Sequence, residues 1–146
     1  MPRRDNFYDQ LVESLAIPEN KTATVTSSTC DLQDYNMVSF FVHFGDSADT
    51  LSGSVYWTCK LQDSDDDSTY ADVAAANLIG SDDVGWAVVN APTDDSRILG
   101  VGYSGIKRYV QVVVTATGSH SSGTPISIIA KKSPVVMSTG QETAAP

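Results

Sequence analysis

The chain has 146 residues, 41% hydrophobic and 18% charged, which suits one domain with its own core and is too apolar for a disordered polymer. Nine Lys and Arg against 18 Asp and Glu leave a net charge of −9. Such a surface repels phosphate backbones and anionic lipid, so neither nucleic acid nor a membrane is expected as a partner.

The first residues, Met1 to Asn6, carry Arg3 and Arg4 but no apolar stretch follows them, so they do not read as a secretion signal. Folding in a reducing cytoplasm is therefore expected, and a Cys30–Cys59 disulfide is not. From Asp5 to Ile17, Phe7, Leu11, Ser14 and Leu15 fall at i, i+4, i+7 and i+8. That spacing suits a short amphipathic helix stopped by Pro18, and the same residues suit an extended arm that orders on a neighbour. Residues 1–20 are thus set apart as helix or arm, ahead of a domain over 21–134.

Beyond Lys21 the period changes to two. Val38, Phe40, Val42 and Phe44 share one face of a predicted strand; Val55, Trp57, Cys59 and Leu61 share another. Val110, Val112, Val114 and Ala116 repeat the device, as do Ile126, Ile128 and Ala130. Shorter strands are predicted at 22–26, 69–73, 86–90 and 97–103. Turn clusters such as Gly45-Asp46-Ser47, Asp63 to Ser68 and Gly118 to Gly123 separate them at the spacing of sandwiches and barrels. Only Ala71 to Leu78 offers another helical turn. The fold class is all-β: an antiparallel two-sheet β-sandwich or jelly roll. Residues 135–146 are small and polar and read as a loose tail.

No stretch carries a clear catalytic pattern. Asp63, Asp65 and Asp67 match the first positions of a calcium loop, but Ser68 stands where Gly is needed and Ala74 where the bidentate Glu belongs. A hairpin turn explains the acidic run better. Gly102-Tyr103-Ser104-Gly105-Ile106 begins like a nucleophile elbow, yet ends in Ile and leads into a strand. His43 reads as mid-strand and His120 as part of a flexible hairpin loop. No catalytic residue, metal site or cofactor is assigned. Tyr56 and Trp86 would be the residues of a sugar-binding face, with Trp57 more simply a core residue.

Two blocks carry a resemblance. Asp49 to Val55, followed by a strand and then Asp63 to Val73, is one; Gly102-Tyr103-Ser104-Gly105-Ile106-Lys107-Arg108-Tyr109 with its valine-rich continuation to Gly118 is the other. With the Asp31-Leu32-Gln33-Asp34-Tyr35 lead-in, they resemble small virion proteins of tailed phages and prophages, often capsid decoration or cement subunits. The resemblance spans roughly residues 31–132. It departs at Asp67-Ser68, where the family commonly has Asp-Gly. It implies a non-enzymatic structural protein on the outer capsid surface of a bacteriophage, a homotrimer bound to the major capsid protein. Arg3, Arg4, Phe7, Tyr8, Leu11 and Leu15 are the expected partner-binding anchors. The alternative is a carbohydrate-binding sandwich module on the virion.

Overall fold

Side chains that alternate between apolar and polar can bury one face of a strand and wet the other, and the chain uses this device throughout. The computed structural model describes residues 10–134. Its strands are β1 (Leu11–Lys21), β2 (Val25–Thr26), β3 (Cys30–Asp31), β4 (Tyr35–Phe44), β5 (Tyr56–Ser64), β6 (Ala71–Asp72), β7 (Leu78–Ile79), β8 (Ala87–Val89), β9 (Arg97–Tyr103), β10 (Tyr109–Thr117) and β11 (Thr124–Pro134).

All pairings are antiparallel, and they nest. β1 pairs with β11, β2 and β3 with β10, β4 with β9, and β5 with β6 and β8. The first sheet runs β1-β11-β4-β9-β7; the second is centred on β10 and β5, with a broken strand along each edge. Nested pairs folded over into two sheets are the winding of a jelly roll, so the sandwich expected from sequence takes that form.

The core lies between the sheets. Phe40, Val42 and Phe44 face in from β4 beside Ala130, Ile128 and Ile126 of β11. Across from them stand Trp57, Cys59 and Leu61 of β5, in register with Ala116, Val114 and Val112 of β10. The largest rings sit next to small side chains, Phe40 beside Ala130 and Trp57 beside Ala116, which helps the interior fill without voids.

The amphipathic-helix expectation fails where it can be checked. Residues 11–21 form β1, an edge strand laid along β11, and Leu15 enters the core at 3% exposure. Register shifts between Ser14 and Ala16 and again between Ala16 and Glu19 interrupt its period. Pro18 is accommodated because an edge strand with bulges can spare an amide. The remainder of that predicted helix and the tail expected over 135–146 lie outside the described residues. The strand also runs past the predicted domain boundary at residue 20, so this part of the arm belongs to the sheet. At Ala71 to Leu78 only Ala75–Asn77 is helical, a single 3-10 turn.

One ion pair fastens this edge. Lys132 Nζ, nearly inaccessible, lies 2.9 Å from Glu13 Oε2, donates to the Asp31 carbonyl at 3.1 Å, and sits 4.4 Å above the Tyr35 ring. Burial disfavours the ammonium, but its neighbours, Glu13 foremost, together outweigh this and raise the Lys132 pKa. β1, β3 and β4 are thereby tied to β11 through one side chain.

Candidate interaction surface

While Asp49 lies at one end of the sandwich, three of the segments that carry the sequence resemblance, Asp31 to Tyr35, Asp63 to Val73 and Gly102 to Tyr109, come together toward the other. β9 finishes there in Tyr103, β5 in Ser64, and β10 starts there at Tyr109. Tyr103 Oη donates to Asp63 Oδ2 at 2.8 Å and accepts the Lys107 amide at 3.2 Å. Burial, then the Asp63 carboxylate, pushes the tyrosine hydroxyl far above its ordinary pKa. Lys107 Nζ lies 3.6 Å from Asp65 and 3.9 Å from Asp63. Arg108 grips Asp31 with two bonds of 2.8 Å, which pull the aspartate down to about 2.

The acidic hairpin is organised by hydrogen bonds. Asp66 accepts from the amides of Thr69 and Ser68 and from the Ser64 hydroxyl, and these bonds hold its pKa well below the usual carboxylate range. Asp67 adopts a left-handed φ of 58°, which Asp tolerates, and accepts from Thr29 at 2.9 Å and from Tyr70. Asp63 and Asp65 thus share Lys107 while Asp67 turns to Thr29 and Tyr70, and the three do not converge as calcium ligands. Among the described residues no group of three metal-ligating side chains comes together.

Between Tyr103 and Lys107 the loop is locked from beneath. A Cβ on Gly105 would stand 2.3 Å from Tyr103 Oη, so only glycine fits over that ring. The Ser104 amide donates to the Asn77 carbonyl at 2.9 Å. At the tip, Ile106 is 100% exposed, an isoleucine with no cover at all on a fastened loop.

Beside this loop lies the outer face of the five-stranded sheet. Register places Ile129, Phe41 and Gly100 in one row, and Lys131, Ser39, Gly102 and Ile79 in the next. Ile98 pairs with His43. A Cβ at Gly100 would meet the Phe41 ring at 2.8 Å, and one at Gly102 would meet Ile79 at 2.9 Å. The two glycines thus form the floor over which Phe41 and Ile79 lie. The result is a groove of about 590 Å³ walled by Met37, Phe41, Ile79 and the Ser104–Gly105 backbone. Met37, Ile79, Ile98 and Ile129 are exposed. No outward position of β4, β7, β9 or β11 carries Asp or Glu, in a chain with 18 of them.

The opposite end, where β10 finishes, is closed. His120 is not on a flexible hairpin loop: its segment crosses from one sheet to the other, and its side chain is buried at a ring-centroid distance of 4.2 Å from Trp57. Its Nε2 bonds the Thr117 carbonyl at 3.0 Å, and Nδ1 lies 4.0 Å from Asp49 Oδ2. Asp49 accepts the amides of Ser122 and Gly123, which lower its pKa, and Trp57 Nε1 donates to Thr124 Oγ1 at 3.1 Å. Sequence reasoning missed this cluster because its members come from distant segments.

Of the expected anchors, Leu11 is exposed on β1, whereas Leu15 faces the protein's own core and is not a free anchor. Arg3, Arg4, Phe7 and Tyr8 lie outside the described residues. Every described aromatic side chain is at least partly covered: Trp57 and Tyr103 are buried, and Trp86 packs against the core. Cys30 and Cys59 are both buried free thiols, raised by burial to about 11 and about 12.

No protein-family model and no curated protein matches the chain. Among solved structures it is similar to the crystal structure of SPBc2 prophage-derived protein YomS, at 13% identity and a TM-score of 0.45, over 85% of this chain and 92% of that one.

Proposed function

We propose that this chain is a phage virion structural protein, a decoration or cement subunit that binds the assembled head as a homotrimer. The observation that carries the reading is the distribution of charge. A chain at −9 keeps its carboxylates off the outward positions of four strands of one sheet and leaves apolar side chains there, as a docking subunit requires. The resemblance to head decoration proteins supports the same role, and one of the segments that bear it, Gly102 to Gly105, lines the groove in that face. Jelly rolls serve capsid and lectin domains alike, so the winding is compatible with decoration without selecting it.

The partner is the major capsid protein. On this reading Arg3, Arg4, Phe7 and Tyr8 reach the shell from just ahead of β1, with Leu11 beside them. The test is co-sedimentation of the purified protein with undecorated heads. Removing residues 1–9, which stops short of β1, should lower head binding at least tenfold and leave the thermal midpoint unchanged. Absence of full-length protein from the head pellet would overturn the proposal.

A further inference from the structure

We propose that Ile106 of one copy seats in the glycine-floored groove of the next, and that this head-to-tail contact closes the homo-oligomer; the inference rests on the trimeric reading above and names its interface.

Three features support it. First, the knob is presented rigidly: Gly105 sits on the Tyr103 ring, the Lys107 amide is bonded to Tyr103 Oη, and Ile106 stands wholly in solvent. An apolar side chain that is held in place before it binds loses little freedom on docking. Second, the groove is ample for one branched side chain, at about 590 Å³, and its walls are Phe41, Ile79 and Met37 over Gly100 and Gly102. Third, charge selects the occupant. Two copies at −9 each repel except where both lack acids. The groove face has none, and residues 104–106 have none; Lys107 and Arg108 beyond them are already paired with Asp63, Asp65 and Asp31 of their own chain.

Geometry favours a ring over a two-fold stack. Stacking the acid-free face on itself would bury Lys131 with no carboxylate opposite, which is costly. Knob into groove is instead a heterologous contact, and such contacts close into rings when the rotation permits. Gly105 both lines the groove and precedes the knob, so the contact repeats close to one axis, as in a small ring.

The test is solution mass by light scattering on the full chain, with Ile106→Asp, Ile79→Asp and, away from the groove, Val12→Asp. The wild type and Val12→Asp should give three times 15.6 kDa, and the two groove and knob variants 15.6 kDa, from a loss of association of about 30-fold or more. Ile106 and Ile79 are exposed, and circular dichroism should show both variants folded. Because the native thiols are buried, Ile106→Cys protein mixed with Ile79→Cys protein should form a disulfide between copies under oxidation, and neither should do so alone. A trimer that survives both Asp substitutions would overturn the contact and leave the trimeric reading intact. A monomeric wild type would overturn both. Cross-linking of Ile106→Cys alone would replace the ring with a two-fold contact. Loss of head binding in Ile106→Asp with the trimer retained would assign the knob to the shell, and also overturns the inference.

Discussion

The two ends of the sandwich solve one problem in opposite ways. Each puts an aromatic ring and a carboxylate where β5 and β10 run out. At the closed end Trp57, His120 and Asp49 turn inward, and the crossing segment 118–123 is drawn over the core. At the other end Tyr103 and Asp63 are equally covered, but what they hold is a loop whose tip faces solvent. The contrast separates stability from recognition: similar buried polar pairs serve in one place to seal the core and in the other to present a side chain.

Substitutions can break that contrast. Trp57→Ala should cost most, about 4 kcal/mol in denaturant unfolding, because it empties a fully buried site, uncovers the His120 ring and leaves the Thr124 hydroxyl only its Ser47 partner. Gly118→Ala should follow at about 2 kcal/mol: φ is +81° and the new Cβ would stand 2.2 Å from the Ser54 carbonyl. Tyr103→Phe should cost about 1.5 kcal/mol, by leaving buried Asp63 short of a donor, and should speed hydrogen exchange at the Lys107 amide with no change at Gly123. Equal acceleration at both ends would mean that they are not independent.

Acid should unfasten both ends together. Asp31, at about 2, and Asp49 and Asp66, also lowered, are more acidic folded than unfolded. A depressed carboxylate contributes stability above its unfolded pKa and loses it as pH falls through the folded one. The thermal midpoint should therefore hold above about pH 4 and decline toward pH 2. The smallest effect is kinetic. Cys30 and Cys59 should resist a thiol reagent at pH 8 until the chain unfolds, with Cys30 reacting first because its strand lies at a sheet edge. Prompt labelling of Cys59 would contradict the sealed core.

Much of this fold was legible from alternation alone. The strand expected over 97–103 matches β9 residue for residue, and the inward rows of β4, β5, β10 and β11 are those the period of two selects. β1 was misread because its bulges break that period and leave apolar residues at helical spacing; its partner β11 lies at the far end of the chain. His120 was misread because Gly and Ser around it suggest freedom, while Asp49, which removes that freedom, is remote in sequence. The groove needed register: Gly100 and Gly102 look like weak points of a strand until Phe41 and Ile79 are known to lie across them.

The second sheet's edges carry a last consequence. Each is broken into pieces of two or three residues, β2 with β3 and β6 with β8, so neither exposes a continuous run of open peptide groups. An intruding strand would find too few bonds on that sheet to extend it, and crowded copies there are protected from fusing into fibres. Self-assembly on that side must be written in side chains, where it can be specific and can stop.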